Sequence, residues 1–580
     1  MARMPPFRQA LPLYAFGASA TATLVLALGV SSRALMLEGF TAMGYYGILG
    51  SCLLWFGVLL THRPRWAELR RLCFAHWPAL ALAAALVVGA FFASPPRFRI
   101  LADETELLSA AMGLYDAHVP RKAAELVYRF GGSQDLVDYG YGKRPLAFPF
   151  LIYVAHAVLG YHAEINAFVV NGVCGFGLLV AFYALLDRHL SRFSAWLGMA
   201  LLGAFPLVVL CMTSGGFEIA NLFFGMLVLL AFDRLLQWRS GRAASVLLAT
   251  ALVAAQVRYE SAIFALAVVP WIVFLLPRGE WFRLGWSVVP VPLLLVPAVW
   301  QRRINLDSAV FEVNNGGPAF AWRYVGHNLS RAFEFFTAGR EAYGTIGPLF
   351  WLASLGFVVW AVRGLRRPKA LRSRPGVLAS VAIGVAVLHL AVLMAYYSGD
   401  LTLQIALRLG LVFIPFVVVL ALVALRTFLG EGCVAQTAMT VGALGLVLHY
   451  WPIAGRNEAT REIVVYREFT GVLEFLQQRY PDKNVLLITD LSHLYVPFRY
   501  GALKFERVRQ NPEGLAHRMR QAQAKEVVAV QWVDVQTGKV VQATALGPRF
   551  QLKTLAEYGL SITYKLRFAQ VKRISSGGGA

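Results

Sequence analysis

Three carboxylates in four residues, Asp103, Glu104 and Glu106, follow an apolar run in the stretch Ile100-Leu101-Ala102-Asp103-Glu104-Thr105-Glu106. The chemistry open to such a group is proton transfer. A neighbouring carboxylate such as Glu104 raises a pKa and strengthens a base, so Asp103 suits removal of a proton from an acceptor hydroxyl. There is also a structural reading. Asp103 and Glu106 fit the D-x-x-E form of a helix capping box, with Glu104 a supporting carboxylate or a solvated charge. The two readings are compatible, because a cap also fixes its side chain in place.

The cations are the second group. Lys143 and Arg144 precede Pro145, Arg258 sits in Val257-Arg258-Tyr259-Glu260-Ser261, and Arg408 lies inside an otherwise apolar run. A charge at membrane depth is costly, so it is paired or lines a polar cavity. One reading has these residues bind the phosphate of a lipid, since guanidinium forks and ammonium charges suit phosphate oxygens. The plain readings are a local pair with Glu260 for Arg258, snorkelling for Arg408 and an interfacial anchor for Lys143-Arg144. Glu218 reads as a helix N-terminal charge. His327 and Arg331, four residues apart, share a helix face, which is either site-facing or solvated.

These residues need a membrane scaffold. Of the 580 residues, 58% are hydrophobic and 15% charged. A soluble chain of this length carries more charge, so the composition reads as a polytopic membrane protein. The net charge of +22 is spread over short loops between apolar runs. That is the positive-inside pattern rather than a nucleic-acid footprint, and no nucleic-acid partner is expected. Apolar run lengths predict about 13 spans, with the N-terminus cytoplasmic and the C-terminus outside. The first run reads as an uncleaved helix. Residues 1–76 form additional N-terminal helices. Residues 77–454 form the catalytic membrane domain, with outer loops at 95–163 and 301–347. Within the first loop, a helix is expected from Glu104 to Ala117, and Leu146–Gly160 should lie at the interface.

From residue 455 the pattern changes. Glu458–Tyr480 is amphipathic, and Asn484–Thr489, Val527–Val533 and Ser561–Phe568 read as strands. Residues 455–574 are therefore a small α/β domain on the outer face, and 575–580 a linker-like tail. The five cysteines show no CxxC or CxxxH spacing, so neither a disulfide framework nor a zinc site is indicated. No P-loop, GxGxxG or HExxH element is present, which turns attention away from ATP-driven transport and zinc proteolysis.

On these residues the chain resembles the GT-C glycosyltransferases, especially the superfamily of protein O-mannosyltransferases and aminoarabinose lipid A transferases. Asp103-Glu104 matches the family's Asp-Glu pair. Lys143-Arg144-Pro145-Leu146-Ala147-Phe148-Pro149-Phe150, followed by Leu159-Gly160, is similar to its Lys-Pro-Pro-Leu stretch and later Phe-Gly. Some relatives carry Glu where this chain has Gly142, and the Trp-Trp-Asp and Asp-x-Asp motifs are lacking.

The resemblance implies inverting transfer of one sugar from a polyprenyl-phosphate donor to a hydroxyl or similar group of an envelope lipid, glycan or protein. The site would lie on the periplasmic face of a bacterial inner membrane. Asp103 would be the base, with Glu104 beside it. Lys143, Arg144, Arg258 and Arg408 would hold the donor phosphate. Tyr141, Tyr259, Glu260, His327 and Arg331 would contact substrate. No cofactor is expected, and a divalent metal is left open. The alternatives are a glycan ligase using a polyprenyl-linked oligosaccharide, a lipid-linked sugar flippase and a membrane scaffold.

Overall fold

Apolar run length and proline placement decide which segments become long helices. The computed structural model describes residues 7–61, 66–128, 134–306, 318–337, 346–430, 432–456, 464–520 and 526–574. Glu312, Asn314 to Gly317, Arg340, Glu341 and the tail from 575 lie outside these described residues. Among the described residues, nine helices are long and apolar enough to cross a membrane. They include Ala163–His189, Glu218–Trp238, Gly347–Arg366, Arg374–Ala395 and Ile405–Leu429. The pair Arg192–Ala204 and Pro206–Met212, bent by 64°, makes a tenth if it is one span. The bend follows from Pro206, which forces Phe205 into extended backbone at φ −61°, ψ 128°. The chain is a multi-pass helical membrane protein with a C-terminal sheet domain, as its composition indicates.

The count falls short of about 13 for a local reason. Expected spans near 243–257, 261–276 and 284–300 are short here. Gly241–Ala254 is a 14-residue helix. Beyond it Pro270, Pro277, Pro290 and Pro292 interrupt the ladder, leaving the seven-residue helix Ala262–Val268, single turns and 3-10 segments before the helix Val296–Leu306. Each proline removes a donor and clashes with the preceding turn.

The chain divides into two compact units. The first is Met1–Arg99, Lys143–Ala155 and Ile165–Asn457, and the second is Ile100–Gly142, His156–Glu164 and Glu458–Ala580. The acidic stretch thus folds with the C-terminal segment. The second unit is built on a seven-stranded sheet in the order β2-β1-β4-β3-β5-β7-β6. Its strands are β1 Arg121–Tyr128, β2 Gln134–Tyr141, β3 Val485–Ile488, β4 Gly501–Leu503, β5 Glu526–Asp534, β6 Phe550–Gly559 and β7 Tyr564–Ile574.

The centre of the sheet, β4-β3-β5, is parallel, and β3 and β4 are wholly apolar and buried, as strands covered on both faces are. Ile488, Leu503, Phe505, Val527 and Val571 belong to its core. On one flank β7 and β6 pair antiparallel, and on the other the β1–β2 hairpin joins through Leu126 opposite Ala502. The helix Val464–Arg479 buries Phe469, Val472 and Leu476. The backbone ahead of Pro145 is strand through Tyr141.

Candidate active site

The carboxylate group sits on the helix Leu101–Ala117 of the second unit. The helix begins two residues before Asp103, and its N-cap is Ile100, whose side chain makes no cap bond. The capping box of Asp103 and Glu106 is therefore not formed. Glu104 takes over: its Oε1 accepts the Ile100 N–H at 3.0 Å, satisfying a donor that the helix leaves open. Glu104 is 2% exposed, so it is not a solvated charge. Glu106 instead lies 3.5 Å from Lys122 Nζ. Asp103 occupies the first turn, half-buried, where the helix dipole favours a negative charge.

The hairpin and the C-terminal segment hold this helix along its length. Ser109 Oγ donates to the Ala123 carbonyl at 3.0 Å and accepts the Ala123 N–H at 2.8 Å. Gly113 faces the Arg121 carbonyl so closely that a Cβ there would overlap it. At the far end both oxygens of Asp116 accept from Arg499, at 2.7 and 2.6 Å. The same guanidinium stacks 4.1 Å from the Tyr161 ring centroid, and the Tyr161 hydroxyl donates to the Pro497 carbonyl at 2.6 Å. Glu125, fully buried on β1, accepts the Lys504 N–H at 2.7 Å and pairs with Arg507. Tyr141 ends β2, half-buried.

The cations gather in the first unit around Glu218, which in the sequence reads as a helix N-terminal charge alone. Glu218 opens the helix Glu218–Trp238 and is 3% exposed. Its Oε1 lies 2.8 Å from Arg408 Nη1 and 3.7 Å from Arg258 Nη1. Arg258 Nε also donates to Glu260 Oε2 at 2.9 Å. The local pair foreseen for Arg258 is present, but it is half of the arrangement. Arg408 is paired with a carboxylate rather than extended alone to headgroups.

Phe217 carries the Arg258 guanidinium at 4.9 Å and the Arg144 guanidinium at 5.8 Å from its ring centroid. The turn that places Phe217 and Glu218 is fixed by Asn171, whose Nδ2 donates to the Ser214 carbonyl at 2.7 Å and the Gly216 carbonyl at 2.6 Å. At Gly216 a Cβ would overlap the Glu218 carboxylate.

Arg258 and Arg408 thus meet at Glu218, Arg258 also holds Glu260, and Arg144 lies on the same Phe217 ring. Lys143 and Arg144 are half-buried in the turn before the helix Ala147–Leu159. Gln301 Nε2 donates to the Arg144 carbonyl at 2.8 Å. Tyr259 turns its ring to Arg302, 4.7 Å away.

His327 and Arg331 form a different group. Both lie on the helix Val325–Thr337, with His327 Nε2 3.3 Å and Arg331 Nε 3.8 Å from Asp400 Oδ2. Burial pushes the Asp400 carboxyl up, but bonds from the Thr402 hydroxyl and N–H and from His327 outweigh it and hold the group below its ordinary range. Asn328 secures this helix by donating to the carbonyls of Leu393, Met394 and Tyr396.

The sequence signals that Glu218 needs a partner, though not which one. An acid at the start of a long apolar run needs a partner, and Arg258 and Arg408 were the intramembrane cations in want of one. Among the described residues, no three His, Cys, Asp or Glu side chains come together as a metal site would require.

No family model matches the sequence, and no curated protein matches it. Solved structures do. ArnT from Cupriavidus metallidurans in the apo state is similar at a TM-score of 0.49 and 15% identity, over 86% of this chain and 98% of that one. ArnT bound to undecaprenyl phosphate gives 0.48 and 14% over the same shares. The Archaeoglobus fulgidus oligosaccharyltransferase, in complex with Zn and sulfate, gives 0.45 and 13% over 80% and 73%. The solved structures named here are GT-C glycosyltransferases.

Proposed function

We propose that the chain is an inverting glycosyltransferase that moves a single sugar from a polyprenyl-phosphate donor to a hydroxyl of an envelope acceptor on the periplasmic face. The observation that carries this reading is Glu218 gathering Arg258 and Arg408 into a buried cluster, with Arg144 on the same Phe217 ring. The donor's phosphate takes N–H donors from these guanidinium forks, which suit its oxygens.

In this reading the acceptor oxygen attacks the anomeric carbon as Asp103 takes its proton. The bond from that carbon to the phosphate oxygen breaks on the opposite side. The electron pair leaves with the polyprenyl phosphate, whose growing charge the arginines stabilise. Phosphate is already a good leaving group, so one base and a cationic cradle supply the principal needs. Glu104 keeps the helix end that carries Asp103 in place, and the β1–β2 hairpin with the C-terminal segment fixes the remainder of that helix.

The test is transfer of radiolabelled sugar from a polyprenyl-phosphate donor by the purified full chain, with donor binding measured separately. Arg258→Ala and Arg408→Ala should weaken donor binding at least tenfold and leave acceptor binding unchanged. Equal loss of both, or loss of neither, would remove the phosphate assignment.

A further inference from the structure

A cavity lies away from the Glu218 cluster, toward the other end of the same helix. It has a volume of about 400 Å³ and runs between the helices Ala163–His189, Glu218–Trp238, Gly347–Arg366, Arg374–Ala395 and Ile405–Leu429. Leu186, Leu229, Trp360, Ala382 and Val419 line it, with Arg363 among its few polar residues. Leu229 is 11 residues beyond Glu218, about 16 Å along the helix.

Two observations identify the occupant. The lining is mostly hydrocarbon, so a sugar or nucleotide would lose most of its hydrogen bonds there, whereas an acyl chain has none to lose. The volume is more than twice the ~150 Å³ that accommodates a benzene-sized guest, so a chain segment fits. Arg363 lines the cavity, and Arg366, Arg367, Lys369 and Arg372 follow it in the chain, between lining residues; all five are exposed, and no carboxylate among the described residues pairs with any of them.

Asp233, a carboxylate at this end, is already taken. It is fully buried and bonded to Arg188, His189 and Arg374. Five cations beside an apolar cavity in a bundle of membrane helices call for an amphiphile with an anionic head. A basic pocket between such helices is a recognition site for anionic lipid headgroups.

We propose that this cavity binds one anionic phospholipid, its acyl chain between the five helices and its headgroup on the basic segment 363–372. The site is independent of the transfer reaction and requires no catalytic residue. The test is native mass spectrometry of the full chain released from nanodiscs of equimolar phosphatidylglycerol and phosphatidylcholine with matched chains.

One retained phosphatidylglycerol, favoured at least fivefold over phosphatidylcholine, is expected. The triple variant Arg363→Gln, Arg366→Gln, Arg367→Gln should lose the preference, and Ala382→Phe should lose the lipid itself. Should Ala382→Phe fail to fold, Ala379→Leu fills the same cavity with a smaller change. Equal retention of the two lipids would overturn the proposal, as would retention unaffected by filling. So would occupancy by added undecaprenyl phosphate in preference to phosphatidylglycerol, or a dimer that the same substitutions dissociate.

Discussion

Arg408 Nη1 lies 2.8 Å from Glu218 Oε1, and both side chains are almost wholly removed from solvent. Removing one partner of a buried pair strands the other, at a cost of about 3–5 kcal/mol. Here the asymmetry is informative. Loss of Arg408 leaves Glu218 with Arg258, while loss of Glu218 leaves two guanidinium groups facing each other. Glu218→Ala should therefore destabilise the membrane helices more than Arg408→Ala or Arg258→Ala. Thermal inactivation half-lives of the detergent-solubilised chain would show the order. The order should narrow when a polyprenyl phosphate is added, since the phosphate replaces the lost carboxylate.

The Asp116–Arg499 pair makes a separate claim about the second unit. Its geometry is two-pronged, but the side chains are 36% and 19% exposed, so the coupling should be about 1 kcal/mol. Arg499→Ala should raise hydrogen exchange in residues 101–117 with little change in the membrane helices. Joint exchange of the two, Asp116→Arg with Arg499→Asp, should restore most of the protection. Exchange that rises evenly over the whole chain would mean that Arg499 acts on stability at large.

Glu468 gives the second unit a pH signature. It is buried, and Trp532 Nε1 donates to its Oε2 at 2.9 Å. Burial, with some repulsion from Asp490, pushes its carboxyl up to about 7. In the unfolded chain the group is already ionised above pH ~5, so the folded state binds the extra proton. Stability from this group is present at low pH and is lost as pH rises through 7.

His493, lowered to about 4 mainly by burial, works in the opposite sense but acts below pH ~6.5. From pH 6.5 to 8 Glu468 dominates, and protection of residues 464–479 should fall by about 1 kcal/mol after correction for intrinsic exchange. Glu468→Gln, which still accepts from Trp532, should flatten that dependence. An unchanged slope would show that another group titrates.

The membrane character and the C-terminal strands at 485–488, 526–534 and 564–574 were legible because long apolar runs and β-branched runs are local signals. The helix carrying Asp103 was legible too, apart from its cap. Its start three residues before the expected Glu104 depends on Glu104 reaching back to Ile100, which D-x-x-E spacing does not reveal. The β1–β2 hairpin was not legible. Its partner β4 comes more than 350 residues later, and three residues, Gly501–Leu503, are too few for a periodicity.

Glu218 was hidden for a similar reason. An acid in the first turn of a helix suits the dipole, and pairing with Arg408, 190 residues away, leaves no pattern in sequence. The proline-rich stretch from 270 to 297 misled through its apolar composition, since run length registers hydrophobicity but not broken ladders.

The account turns on Asp103 as the base, and sugar transfer by Asp103→Asn measures it most directly. Asparagine keeps the size and position of the side chain and removes its capacity to take a proton. The account predicts at least a hundredfold loss of transfer, in line with the ~10²–10⁴-fold contribution of a general base, with donor affinity within twofold of the parent chain. Transfer at the parental rate by that variant, in folded protein that binds donor normally, would contradict it.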